Sequence, residues 1–553
     1  MRTLGFLLAF SLVSGNDLND CRCAWLGLDQ QQQLAIYQGR PPETPSDGAV
    51  VPAAWACFQN RIYEEGWSYL EVETNPEVED GIQAYAAGAL EADLTRQLME
   101  NHWLNMFGGY CRGNRLYCNR LRRFFDAYLS FSQGMQDLHR ETDSYWRMVD
   151  LQMTQLAGLN DVFENQQLNY KNRLTRTSRV LLLSAMGDLM ELEVKFGRLK
   201  DPHSLMALTC SALIKIAPGN KDIYFAHTSW FTYRSMLRMQ KKYKLPWHTA
   251  AQSNMTGRIV PGHTITMSSY PGCLNSFDDF HLTSAGLAVM ETSLKNTNHQ
   301  LLRYVRPNGG PLTWVRNMVA SRLSTSGSQW AAIFSRLNSG TYNNQWMVLD
   351  YKLFMPWGSL QPGTLWIVEQ LPGIMESADI TTVLQKQGYW ASYNEAYLPA
   401  IALETRPPGW ERARNHYALS PRAHTVRVMH EHATDMDAMK AFMRFTVQSG
   451  VCPLPCNYSQ PIRDEVASMC PRFDLLPRGP SGGTDTKITN SGLFESLEFE
   501  AASGPTAQGV PPFSWHRSPF RAVAAHYGQP DTWRFGFVRH HWGHCSIPND
   551  WLF

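Results

Sequence analysis

The 553-residue sequence predicts an α+β fold, and three observations carry that prediction. Short alternating stretches open the chain, a long helical block follows, and the remainder mixes strands with helices without the regular alternation of a doubly wound sheet. From about 20 to 85 the pattern has a period of two, as in Ser68-Tyr69-Leu70-Glu71-Val72-Glu73. From about 86 to 198 apolar residues recur every three to four positions, as in Leu90, Leu94 and Leu98 or Phe124, Phe125, Tyr128 and Leu129, and 181–192 reads as a further apolar helix. Lys200-Asp201-Pro202 interrupts the pattern and marks a boundary. Beyond it strands return. Leu213, Ile214 and Ile216 lead into Pro218-Gly219-Asn220-Lys221, a turn, and Ile223, Tyr224 and Phe225 begin the return strand. Further strands are expected at 264–267, 346–351 and 365–368, and a helix at 312–323. There is no internal repeat. The Gly/Ser/Pro stretch 478–486 reads as an exposed loop.

A chain that is 44% hydrophobic and 12% aromatic can bury a large core. Its 50 Lys and Arg balance 49 Asp and Glu, and no basic run carries interleaved aromatics, so a nucleic-acid partner is not expected. Arg2, the apolar run from Leu4 to Val13 and the small residues Ser14-Gly15 read as a signal peptide over 1–15. That run is shorter than the roughly 20 residues a membrane span needs. No later stretch reaches that length without charges, so no transmembrane anchor is expected. Asn254-Met255-Thr256 and Asn457-Tyr458-Ser459 are acceptor sequons, which with the signal point to a glycoprotein in the lysosomal lumen or secreted. In an oxidising compartment 11 cysteines leave at least one thiol unpaired. Cys111 with Cys118, and two of Cys452, Cys456 and Cys470, are close enough for local bridges.

With the turn centred between Gly219 and Asn220, Cys210 lies opposite Ser229, and His227 is a diagonal neighbour on the same face. A slip of one residue brings Ala226, Thr228 and Trp230 there instead. Diagonal neighbours stand about 7–8 Å apart, near enough for an imidazole to activate a thiol. The same pattern also serves a cysteine that is simply buried.

Cys210-Ser211-Ala212-Leu213-Ile214-Lys215 and Ala226-His227-Thr228-Ser229-Trp230 resemble the phospholipase B-like family. So do Ser268-Ser269-Tyr270-Pro271-Gly272, Asn338-Ser339-Gly340-Thr341-Tyr342-Asn343-Asn344-Gln345-Trp346, Tyr389-Trp390-Ala391-Ser392-Tyr393-Asn394 and Ser420-Pro421-Arg422-Ala423. Ala501-Ala502-Ser503-Gly504-Pro505 and Gly528-Gln529-Pro530-Asp531 continue the resemblance, which runs from about 60 to 535.

The resemblance implies an αββα N-terminal-nucleophile hydrolase sandwich with a helical N-terminal segment. It implies a precursor that cuts itself between Thr209 and Cys210, leaving chains 16–209 and 210–553 as one αββα unit. The freed α-amine, with a reference pKa near 8, is then the base for the Cys210 thiol. His227 and Trp230 stand near the offsets where other cysteine members of the superfamily carry Arg and Asp. Asn343, Asn344 and Asn394 are candidate oxyanion donors, and Arg427 a candidate anchor for a charged head group. Asp278 and Asp279 read as loop or cap residues.

The implied activity is release of fatty acyl groups from phospholipids or lysophospholipids through a Cys210 thioester. An N-acyl amide hydrolase is the alternative, and a catalytically silent lipid-binding glycoprotein a third. No cofactor is expected. His540-His541-Trp542-Gly543-His544-Cys545 has metal-ligand residue types but no companion cluster, so no metal is expected either. The serine elbow of α/β-hydrolase lipases is not expected. The sequence does not specify an oligomeric state.

Overall fold

In the computed structural model the described residues are 21–31, 33–41, 50–198, 209–251, 257–405, 416–455, 464–476, 479–543 and 545. The signal segment 1–15, the boundary 200–202 and the sequon residues Asn254 and Asn457 lie outside them.

The period-two alternation near the amino end forms four strands, Arg22–Leu28, Leu34–Gln38, Val51–Arg61 and Trp67–Thr74. The helical block follows as Asp80–Phe107, Arg115–His139, Ser144–Phe163, Arg179–Ser184 and Leu189–Phe196. The apolar run 181–192 is therefore two short helices, not one. Between them Gly187 lies against the Tyr342 ring, where a Cβ would come within 2.6 Å.

Eleven strands form the larger sheet, in the order Ile374–Asp379, Leu365–Leu371, Asn344–Asp350, Leu287–Ser293, His281–Thr283, Thr264–Ser269, Arg238–Lys244, Trp67–Thr74, Val51–Arg61, Arg22–Leu28 and Leu34–Gln38. Its described pairings are antiparallel except that of Trp67–Thr74 with Arg238–Lys244. The connection between those two parallel strands carries the helical block and then the hairpin of Thr209–Ile216 with Ile223–Thr232, which belongs to a second sheet. A six-stranded sheet runs Tyr389–Ser392, Thr209–Ile216, Ile223–Thr232, Ser481–Thr489, Glu500–Ser503 and Val538–Arg539. The architecture is mixed α+β. The strands expected at 264–267, 346–351 and 365–368 and the helix at 312–323 are present, within a few residues of their expected ends.

Side-chain alternation distributes the core. Ala212, Ile214 and Phe225 of the smaller sheet pack against Leu282, Met290 and Met347 of the larger. On its other face Leu213, Ala226 and Ile488 meet Val426 and Phe442 from the helices Pro421–Met429 and Met436–Met443. The far face of the larger sheet, with Leu70, Val72 and Met267, is covered by the amino-terminal helices.

One expectation is overturned. The stretch from 481 is no exposed loop: Ser481–Thr489 is a buried strand paired on both sides. A Cβ on Gly483 would stand 2.2 Å from Cys470 Sγ, and one on Gly482 2.3 Å from the Pro471 carbonyl oxygen. These glycines permit close approach and do not mark mobility.

Disulfides join Cys21–Cys545, Cys23–Cys57 and Cys111–Cys118, the last as expected, and Cys452 is also disulfide-bonded. Among the described residues the free cysteines are Cys210, Cys273 and Cys470, all buried, so Cys470 is not part of a local bridge and the odd count alone does not single out Cys210. No helix among the described residues is long and apolar enough to cross a membrane.

The helices Asp80–Phe107 and Ser144–Phe163 touch backbone to backbone. A Cβ on Gly158 would stand 2.0 Å from the Tyr85 carbonyl oxygen, and one on Gly88 1.9 Å from that of Gln155. Gly158→Val forces these helices apart. Thermal unfolding should show a lower midpoint, with a loss of about 1–3 kcal/mol. An unchanged midpoint would contradict this contact.

Candidate functional site

The hairpin of Thr209–Ile216 with Ile223–Thr232 pairs Cys210 with Ser229 and Ala212 with His227, in the first of the two expected registers. Cys210, His227 and Ser229 share the face toward the larger sheet, and Cys210 is only 2% exposed. From that sheet the strand Leu287–Ser293 contributes Glu291. Reactive atoms of Cys210, His227 and Glu291 all lie within 4.8 Å of one another. Sequence reasoning missed Glu291, which has no local motif around it and reaches the thiol only because two sheets pack together.

Burial and the Glu291 carboxyl raise the Cys210 thiol well above its ordinary pKa, although Lys487 and a hydrogen bond from the Trp230 backbone pull the other way. Burial, reinforced by Lys487, holds His227 well below 6.5. Burial and Asp279 push Glu291 well above the usual carboxylate range. These shifts favour a thiol, a neutral imidazole and a protonated carboxyl at the three positions.

Beneath the thiol lies a buried charge network. Ser229 Oγ accepts from Lys487 Nζ at 2.7 Å and donates to Asp278 Oδ2 at 3.0 Å. Lys487 Nζ reaches Asp278 at 2.5 Å and Asp485 at 2.6 Å, while Arg238 spans the same carboxylates at 2.6 and 2.8 Å. Ser268 and Ser276 also donate to Asp278. Burial opposes ionisation of Asp278, but Arg238 and Lys487 overcome it and hold the carboxyl well below its usual range. Asp278 and Asp279 lie in a loop, as expected, but both are buried, and Asp279 accepts from Asn317 at 2.6 Å.

At the other side of Cys210 the backbone is held directly. Asn394 Oδ1 accepts from the Cys210 amide N–H at 3.4 Å and from Arg422 Nη2 at 2.7 Å. Arg422 also donates to the Cys210 carbonyl oxygen, to Ser211 Oγ at 3.2 Å and to the Tyr393 carbonyl oxygen at 2.7 Å. Its guanidinium stacks 4.3 Å over the Trp230 ring. Phe277, Asp279, Tyr342 and Asn394, all at this site, are non-glycine residues with left-handed φ of 69°, 47°, 48° and 67°. Such backbone strain persists where surrounding structure over-determines it, commonly at functional sites.

Several expected residues stand elsewhere. Trp230 lies opposite Thr209, so its side chain points to the face away from the thiol, and its Nε1 donates to the Met469 carbonyl oxygen at 2.9 Å. Arg427 is exposed and donates to the Ala418 carbonyl oxygen. The arginine at the site is Arg422, five residues earlier in the same helix and within the Ser-Pro-Arg-Ala block. Asn343 Nδ2 donates to Glu191 at 2.7 Å and to the Gly340 carbonyl oxygen at 3.1 Å. The Asn344 carboxamide, oriented so that both ends find partners, donates to Glu291 Oε2 at 3.0 Å. Asn394 Nδ2 is engaged by the Ser293 carbonyl oxygen at 2.9 Å. None of the three amide groups is left free to face the thiol.

Cys210, His227 and Glu291 are also metal-ligand residue types. At the carboxyl end Cys545 is tied to Cys21, the His540 ring stacks on Tyr69, and His541 Nδ1 lies 3.3 Å from Glu498. His544 lies outside the described residues. Gly479-Pro480-Ser481-Gly482-Gly483 does have the Gly-X-Ser-X-Gly spacing, but Ser481 begins a nine-residue strand and does not sit at a strand-to-helix turn, so it is not a nucleophile elbow.

Residues 54–540 match the family described as Phospholipase B. The chain is 38% identical over 548 residues to "Putative phospholipase B-like 2" of Bos taurus, covering 94% of this chain and 90% of that one. It is 39% identical to the Homo sapiens protein of the same name, covering 92% and 88%. "Putative phospholipase B-like 1" of Caenorhabditis elegans is 37% identical, covering 88% and 87%. A match of this extent shows the family: the chain belongs to the phospholipase B family.

The buried Glu191 ties the helical block to the site, accepting from Asn343 Nδ2 and from the Tyr342 amide, both at 2.7 Å. Burial pushes its carboxyl up to about 7, against the pull of those donors. In the unfolded chain a glutamate titrates near 4.3, so its stabilising share is complete below that pH and is lost as pH rises to about 7. Glu191→Gln has no such loss. Relative to wild type it should gain about 1.4 kcal/mol per pH unit between roughly pH 5 and 7, then level off. Denaturation midpoints of both proteins across this range check it, and a gap independent of pH would contradict the assignment.

Proposed function

We propose that the chain is an αββα N-terminal-nucleophile hydrolase that releases fatty acyl groups from phospholipids or lysophospholipids. In this reading it acts in the lysosomal lumen or after secretion, and cleavage between Thr209 and Cys210 creates the active chain. Membership of the phospholipase B family supports the substrate class. Helices outside each of two facing sheets support the fold type. The disulfides, the signal-like start and the two sequons support the compartment.

The observation that carries the reading is the setting of Cys210. It is the second residue of its strand, its side chain meets His227 and Glu291, its amide N–H is held by Asn394 and its carbonyl by Arg422. Cleavage turns that amide nitrogen into a primary amine without moving it, and Asn394 Oδ1 then orients the amine. Deprotonated, the amine takes the thiol proton and the thiolate attacks the acyl carbon. The Trp230 backbone N–H, already directed at the sulfur, is placed to donate to the oxyanion that forms. The resulting ammonium protonates the departing alkoxide, leaving a thioester that water hydrolyses. Before cleavage there is no amine, and burial holds the thiol protonated, which keeps the precursor silent.

Edman sequencing of the purified protein tests the reading, beside a Cys210→Ala variant. A second chain beginning Cys-Ser-Ala-Leu is expected in the wild type and not in the variant. An intact wild type, or a cut far from Thr209, overturns the mechanism. The same thiol and amine would act on amides, so a panel of phospholipids and N-acyl amines at pH 5 decides between the two substrate classes.

A further inference from the structure

We propose that His227 takes the Cys210 thiol proton during the cleavage that creates the active chain. This rests on the proposed processing at Thr209–Cys210 and concerns the moment before it, when the Cys210 nitrogen is still an amide without a basic lone pair. The base later supplied by the α-amine does not yet exist, so another group must accept the proton.

Among the described His, Cys, Asp and Glu side chains, His227 and Glu291 join Cys210 in a cluster whose reactive atoms lie within 4.8 Å of one another. The imidazole tautomer is fixed by its environment. His227 Nε2 lies 2.9 Å from the Glu291 carbonyl oxygen, which can only accept, so Nε2 carries the hydrogen. Nδ1 therefore holds the lone pair, and it is a buried atom with no hydrogen-bond partner. Buried acceptors are normally satisfied, and one left open beside a nucleophile calls for a functional account. The Cys210 thiol, in the same cluster, is the proton donor that we assign to Nδ1.

Glu291 is already engaged. Oε1 lies 3.0 Å from the Tyr342 hydroxyl, and Oε2 accepts from Asn344. The surroundings also favour His227: burial and Lys487 keep the ring neutral, so its lone pair persists in acid. Asp278, in the same network, acts in the opposite direction and is outweighed.

The step balances without a further reactant except water. Nδ1 accepts the thiol proton, and the sulfur attacks the Thr209 carbonyl carbon. The tetrahedral adduct collapses with loss of the C–N bond, and the imidazolium returns the proton to the departing Cys210 nitrogen. Water hydrolyses the Thr209 thioester, giving a carboxyl terminus, a free thiol and the new amine.

The test follows full-length precursor made by cell-free translation, scoring the chain that begins Cys-Ser-Ala-Leu over time. His227→Ala and His227→Gln should each slow cleavage by about 10²-fold or more. Added imidazole should accelerate His227→Ala, whose vacated space admits it, and not His227→Gln. Unfolding midpoints near that of the wild type show that both variants fold. Cleavage at the wild-type rate in either folded variant, or a folded His227→Ala that is slow and indifferent to imidazole, overturns the proposal. A wild-type precursor that never cuts at Thr209 instead defeats the processing reading on which it rests.

Discussion

The position of the thiol depends on one buried ionic network, Asp278 and Asp485 against Arg238 and Lys487, with Ser229 at its upper edge. Its members come from both sheets and from the loop between Thr264–Ser269 and His281–Thr283. Arg238 belongs to the larger sheet, while Asp485 and Lys487 belong to the strand beside the hairpin. Two carboxylates against two cations leave it formally neutral, which makes complete burial tolerable, whereas losing one member leaves an uncompensated charge in the interior. Because Ser229 is the cross-strand partner of Cys210, the network fixes where the nucleophile meets the larger sheet. Glu291 and His227 can converge on the sulfur only because that contact is set.

A second constraint comes from the amino-terminal block. Glu191 and Asp188, at the end of the helical block, receive the 341–343 segment through Tyr342, Asn343 and Thr341. Tyr342 and Asn344 then contact Glu291. A chain cut before Cys210 would still need its amino-terminal part for three reasons: it supplies strands to the larger sheet, it supports these carboxyl contacts, and the Cys21–Cys545 bridge joins it covalently to the carboxyl end. Burial and strained backbone are concentrated at this junction of the two parts.

Much of the fold was legible because local chemistry expressed it. Turn residues at 218–221 placed the hairpin and left two registers, of which the structure takes the first, and period-three-to-four spacing placed the helical block. The misreadings share a cause. Gly482 and Gly483 look like loop residues in sequence, yet here glycine serves close packing against Cys470 and Pro471. Apolar periodicity ran through Gly187, where the helix is interrupted and the ring of Tyr342, from far along the chain, leaves no room for a Cβ. The site was legible on the hairpin, at Cys210 and His227, and through the resemblance at Asn394 and Asn344, which meet the Cys210 amide and Glu291. Glu291, Asp278 and Lys487 lie about 70 to 280 positions from the nucleophile and meet it through sheet packing, which no local pattern records. Arg422 did stand in a quoted block, and helical geometry selected it over Arg427: one faces the nucleophile strand and the other solvent.

The central claim is that Cys210 carries the acyl group. Incubating the processed protein with a phospholipid at acid pH, quenching in acid and mapping peptides by mass spectrometry tests it directly. The account predicts a fatty acyl mass on the peptide that begins at Cys210, removed by hydroxylamine. An acyl group on any other residue, or acyl release by a Cys210→Ala chain, would contradict it.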